Sequence, residues 1–164
     1  GLVGCFTWAF AATSSSMVSN IIGQNRKEEV INLIIKIMKI STLLAFSVAV
    51  LINLFPGVLL SIFGQDKTFI DAAIPVVRVV TMAMVFMSVA TVWLNAVTGT
   101  GNSRVTLFIE IFTICLYCVF VYVVLEKLNL PIVYGWMSEW LYWSSIFILS
   151  WSYMRSGKWK KKVI

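Results

Sequence analysis

Residues 105–125 read VTLFIEIFTICLYCVFVYVVL, a run whose one charged side chain is Glu110. About 20 apolar residues in a helix cross the ~30 Å hydrocarbon core of a bilayer. Within lipid the backbone must satisfy its own hydrogen bonds, so a run of this kind is read as a helix. Four further stretches of this type lie around it, at residues 2–22, 30–54, 69–97 and 133–154, joined by short polar turns. Composition agrees: 60% of residues are hydrophobic, 12% are charged and the mean hydropathy is +0.92. A soluble domain of 164 residues would bury only about two thirds of its surface, too little to hide this much apolar area. The sequence therefore predicts an all-α polytopic transmembrane helix bundle of about five membrane-spanning helices, with the lipid bilayer as partner for its outer faces.

The punctuation between the runs is specific. Gly23-Gln24-Asn25 and the charged turn Arg26-Lys27-Glu28-Glu29 end the first. Pro56 lacks the amide proton a helix needs and ends the second. Val58 to Phe63 is too short to cross and is expected at the interface, followed by a turn at Gly64-Gln65-Asp66-Lys67. The chain opens Gly1-Leu2-Val3-Gly4-Cys5, without Met or the basic flank of a signal peptide. The expectation is that residues 1–164 are the C-terminal portion of a longer transmembrane domain, with no room for a soluble catalytic unit.

Charge sets an orientation. Arg26, Lys27, Lys36, Lys39, Arg104, Arg155 and Lys158, Lys160, Lys161 and Lys162 fall on one side; Lys67, Arg78 and Lys127 fall on the other. Basic residues concentrate on the cytoplasmic side of membrane proteins, so the C-terminus is expected there. The net charge of +6 sits mostly in this juxtamembrane pattern, which suits anionic headgroups rather than nucleic acid. The chain has no His, which removes the commonest general base and weakens an enzyme reading. Cys5, Cys115 and Cys118 all lie in apolar runs; the CxxC spacing of the last two lacks a second pair, and they read as small packing residues.

Polar residues recur at helical spacing inside two spans. Thr81, Ser88 and Asn95 are seven apart, with Thr91 and Thr98 nearby; Ser103, Thr106, Glu110, Thr113 and Tyr117 follow in steps of three and four. Each stripe should face the bundle interior, serving either helix–helix hydrogen bonds or a transport path. Glu110 and Glu139 are the intramembrane acids. Each is either a site where a cation or proton acts, or an interfacial carboxylate paired with a base such as Arg104 or Arg78. Trp136, Trp140, Tyr142 and Trp143 surround Glu139. An interfacial aromatic belt explains Trp136, whereas the other rings could hold an organic cation by cation–π attraction. The transport-path candidates are thus Glu139, Glu110, Asn95, Tyr142, Trp140 and Tyr117.

Three segments in this order look familiar. Phe10-Ala11-Ala12-Thr13-Ser14-Ser15-Ser16-Met17-Val18-Ser19-Asn20-Ile21-Ile22-Gly23-Gln24-Asn25-Arg26 resembles the small-residue helix and glycine-bounded turn of multidrug and toxic compound extrusion (MATE) transporters. Val97-Thr98-Gly99-Thr100-Gly101-Asn102-Ser103-Arg104 resembles the later G-x-G-(D/N)-(T/S)-R turn of that family, and Gly135 through Tyr142-Trp143 with the tail to Lys160 is similar to its last helix. The resemblance implies a twelve-helix, two-lobe transporter of which this chain would be helices eight to twelve. It implies export of amphipathic, often cationic compounds against inward Na⁺ or H⁺, no other cofactor, a missing N-terminal lobe as partner, and a place in the cell inner membrane. The third span lacks the acid that some members carry in helix ten, so that ion site does not transfer. A lipid-linked oligosaccharide flippase of the same superfamily and a non-transporting membrane subunit are the alternatives.

Overall fold

A computed structural model describes residues 2–61 and 67–161. Residues 62–66, which hold the end of the expected interfacial stretch and most of the turn after it, lie outside the described residues, as do Gly1 and residues 162–164.

Among the described residues seven α-helices follow one another: α1 Leu2–Gly23, α2 Val30–Leu54, α3 Pro56–Ser61, α4 Lys67–Gly99, α5 Ser103–Tyr122, α6 Ile132–Trp136 and α7 Ser138–Arg155. Helices α2 (with the turn before it), α4 and α5 (with the turn after it) are long and apolar enough to cross a membrane. Helix α1 has 22 residues, about 33 Å at 1.5 Å per residue, but Thr7, Thr13, Ser14, Ser15 and Ser16 dilute its hydropathy. The stretch 133–154, expected as one helix, is broken at Met137 into short α6 and longer α7. The fourth run continues past Tyr122 as a π-turn over Val123–Lys127.

Helix α4 is the centre, and hydrogen bonds fix its neighbours. Ser14 Oγ of α1 donates to the Val92 carbonyl at 2.9 Å. On α2, Ser41 Oγ donates to the Ser88 carbonyl at 3.4 Å and Asn53 Nδ2 to Thr81 Oγ1 at 2.8 Å. Trp93 Nε1 donates to Met38 Sδ at 3.2 Å. On α7, Trp140 Nε1 donates to the Val79 carbonyl at 2.8 Å. The pairings show α1 and α7 running with α4, and α2 against it. Small side chains permit the closest approach: a methyl group at Gly99 would stand 2.5 Å from the Ser15 carbonyl oxygen. Such small-residue contacts replace the hydrophobic drive that lipid does not supply.

The outer faces are apolar. Phe108 is 70% and Leu43 68% exposed, as residues that meet acyl chains should be. Cys5, Cys115 and Cys118 are also exposed, which corrects their reading as packing residues. Cys115 shares the outward face of α5 with Phe108, Ile111 and Phe112, so the thiols point away from the bundle.

The basic end is closed by a clasp. After Gly157, whose φ of +68 reverses the chain, a short 3₁₀ turn Lys158–Lys161 folds back beneath the bundle. Trp159 is 1% exposed in the main core with Val18, Ile34 and Val97, and its Nε1 donates to the Met154 carbonyl at 2.7 Å. Lys160 Nζ lies 2.7 Å from Glu28, while Lys27 Nζ donates to the Lys160 carbonyl at 2.9 Å. The first turn and the tail, 132 residues apart, are thereby joined.

Candidate functional site

The polar stripe of α4 divides in two. Thr81 and Ser88 are buried where α4 meets α2: Asn53 donates to the Thr81 hydroxyl and Ser41 to the Ser88 carbonyl, bonds that hold the two helices together. Thr91 and Asn95, further along the helix, line a cavity of about 550 Å³ between α1, α4, α5 and α7. A volume of this order suits a drug-sized molecule. Glu110 enters it from α5, Tyr142 and Trp143 from α7, and Trp8 from α1.

Local helix geometry accounts for each placement. Glu110 lies four residues after Thr106, whose hydroxyl shares a hydrogen bond with Thr98 of α4 at 3.0 Å. That contact seats α5 against α4 so that the next turn faces the cavity. Thr113 is fully buried and bonds back to the Ile109 carbonyl at 2.9 Å. Asn95 Nδ2 donates to the Thr91 carbonyl at 3.0 Å, which holds the side chain against its own helix at the cavity wall.

Of the candidates read from sequence, Glu110, Asn95 and Tyr142 line the cavity together. Tyr117 adjoins it, edge-on to Tyr142 with ring centroids 6.0 Å apart. Glu139 is one step removed: its Oε2 accepts from Trp143 Nε1 at 3.0 Å, so it positions the indole that forms the wall. Trp140 lies elsewhere, bonded to Val79 and edge-on to Phe86 at 6.3 Å. Trp8 and Trp143 are cavity residues that were not among the six. Trp8 stands on the same α1 face as Ala11 and Ala12, whose small side chains leave the space open; that spacing was its only signal.

The charge of the cavity is one-sided. Among the described residues the ion pairs are Arg26–Glu29 at 2.6 Å and Lys160–Glu28 at 2.7 Å, so neither Arg104 nor Arg78 pairs with Glu110 or Glu139. The lining includes a carboxylate and no basic residue. Aromatic faces and a carboxylate attract cations by complementary means. No cluster of three or more His, Cys, Asp or Glu able to hold a metal occurs among the described residues.

Long apolar helices with apolar outer faces define a multi-pass membrane protein. Residues 1–123 match the MatE family, three quarters of the chain, and the chain belongs to that family. It is also 28% identical over 154 residues to a protein of Thermotoga maritima described as "Probable multidrug resistance protein NorM". That similarity covers 92% of this chain but 32% of the relative's length, so the chain spans about a third of it. No solved structure matches.

Proposed function

We propose that this chain forms part of an antiporter that exports amphipathic, cationic drugs by alternating access, driven by Na⁺ or H⁺. The observation that carries the reading is Glu110, a carboxylate without an ion-pair partner among the described residues, in an aromatic-walled cavity of about 550 Å³. An acid placed in the membrane is costly and marks an ion or substrate path. Here its counter-charge would be the substrate or the coupling ion, in turn. The family and the multidrug-resistance description of the Thermotoga maritima relative support the same reading. The protein would sit in the cell inner membrane with its C-terminus cytoplasmic, facing the basic end of the bundle to anionic headgroups.

The lining speaks against a flippase for lipid-linked pyrophosphates, since it holds an acid and no Lys or Arg. An anion would meet repulsion at Glu110. The test uses the whole protein in vesicles with an imposed Na⁺ or pH gradient. Glu110→Gln should lower affinity for an organic cation about 30-fold or more, the scale of losing a desolvated charge partner at roughly 2–5 kcal/mol. Glu110→Asp should retain part of the activity. Unimpaired cation export by Glu110→Gln at normal abundance would contradict the proposal.

A further inference from the structure

Helix α2 carries a stripe that faces away from the bundle. Asn32, Lys36, Lys39, Leu43 and Val50 are all exposed, and at about 100° per residue they fall within one arc of roughly 60°. The first two turns of the stripe are polar and cationic, whereas Leu43, Phe46, Val50 and Leu54 dominate the rest. Helix α2 has 25 residues, about 38 Å at 1.5 Å per residue, against a hydrocarbon core of ~30 Å. Its first turns therefore stand at the membrane boundary. Lys36 and Lys39 reach back from there toward the headgroups, because a helical side chain leans toward the N-terminus. Between this stripe and the end of α1 lies a pocket of about 190 Å³, walled by Ile21, Leu33, Glu29, Asn32 and Lys36. Glu29 is already answered, since Arg26 donates to both its carboxylate oxygens at 2.8 and 2.6 Å. Lys36 and Lys39 have no carboxylate partner among the described residues. Arg26, Lys36 and Lys39 set against Glu29 thus leave a net positive charge at the pocket and its rim.

We propose that this face is a binding site for one anionic phospholipid of the adjoining leaflet, of the phosphatidylglycerol type. The phosphodiester sits at the mouth of the pocket, held by Lys36, Lys39 and the Asn32 amide. Ile21 and Leu33 meet the ester region, and an acyl chain follows Leu43, Phe46 and Val50 toward the bilayer centre. Two features select a lipid over a free phosphate. The cationic and apolar parts of the stripe are continuous on one helix face, and the pocket opens at the level where a bilayer places its phosphates. Basic pockets between transmembrane helices suit such headgroups. A zwitterionic lipid offers the same phosphate but brings its own ammonium, which the two lysines repel. The Glu110 cavity is lined by α1, α4, α5 and α7, so this site on α2 stands or falls independently of it.

The experiment titrates the purified whole protein, in a neutral detergent, with dioleoyl phosphatidylglycerol or dioleoyl phosphatidylethanolamine and measures bound lipid by native mass spectrometry. The parent should retain phosphatidylglycerol in preference to phosphatidylethanolamine. Lys36→Gln combined with Lys39→Gln should weaken phosphatidylglycerol binding about 30-fold, since each lysine near an anionic surface is worth a factor of roughly five. Lys36→Arg combined with Lys39→Arg keeps both charges and should keep the preference. Arg104→Gln combined with Lys158→Gln removes the same charge elsewhere on the basic end and should leave binding as in the parent. Glycerol 3-phosphate, an anion without acyl chains, should not displace the lipid. Equal retention of the two lipids by the parent overturns the inference. So does a loss in the Lys36 and Lys39 glutamine variant no greater than that in the Arg104 and Lys158 variant, which would mark a general effect of charge. Displacement by glycerol 3-phosphate at the lipid's own concentration would assign a small-phosphate site instead and overturn it as well.

Discussion

A methyl group at Gly99 would come within 2.5 Å of the Ser15 carbonyl and 3.1 Å of Val18 Cβ, and backbone cannot retreat as a flexible side chain can. Gly99→Ala should therefore destabilise the protein by about 1–3 kcal/mol, as overpacking does, seen as a lower melting temperature in detergent. Gly23 ends α1 in a similar sequence setting, yet a methyl group there meets nothing within 4 Å, so Gly23→Ala should leave the melting temperature near the parent value. The likeness between the two helix ends was legible in sequence; that only one is a close contact was not, because it depends on which helix crosses it. Both ends do turn in the left-handed region, at Asn25 and Gly101, as helix C-termini commonly do. At Glu139 the hydrogen bond to Trp143 sets a different expectation. Glu139→Gln keeps an oxygen to accept from the indole, whereas Glu139→Ala does not, so export of a cationic dye should fall more in the alanine variant. Equal export by the two would show that the bond does not position Trp143. Periodicity singled out Glu110 and Asn95, and nearness to Glu139 singled out Tyr142, all three of which line the cavity; neither signal could separate a residue lining a cavity from one bonded behind its wall.

Among the elements, the tail departs furthest from its sequence reading. Its lysines read as a headgroup-facing run, but Trp159 between them is buried and makes the tail part of the core. A lone Trp in a basic segment carries no periodic signal, and its burial depends on α1, α2 and α7 converging above it. Trp159→Ala should cost about 3–5 kcal/mol, the range for emptying a large aromatic site, and should expose Lys158 and Lys160 to trypsin in the folded protein. A cleavage pattern like that of the parent would argue against the clasp. Next to it, the Arg26 guanidinium holds the Glu29 carboxyl below its ordinary range by hydrogen bonding first and charge second. A depressed carboxylate contributes stability above its unfolded pKa and loses it as pH falls through the folded value. Both side chains of the pair are exposed to solvent, so the contribution is small. Titration of Glu29 by NMR should show its midpoint rise in Arg26→Ala. The bounds of α1, α2, α4 and α5 follow the apolar runs closely. The break at Met137 does not, because Gly135 there packs on Leu125, a contact between segments that no single run can announce.

For the molecule as a whole, hydropathy alone indicated helices in a bilayer, since lipid selects for element type as strongly as any packing does. The arrangement around α4 required the structure. Basic residues at the ends of α1, α4 and α7 predict the topology, to be checked with single cysteines in a background lacking Cys5, Cys115 and Cys118. Cysteines at Gln24, Ser103 and Lys161 should be shielded from an impermeant thiol reagent in intact cells, and one at Asn129 should react. Labelling of the first group from outside would reverse the orientation. The central claim is that the Glu110 cavity takes an organic cation, and substrate protection tests it most directly. In the same cysteine-free whole protein, Asn95→Cys places a thiol in the lumen beside Glu110. Its modification by a small thiol reagent should slow when N-methylphenanthridinium is present, and the protection should vanish when Glu110→Gln is added. Equal modification rates with and without the cation, at concentrations that saturate export, would contradict the account.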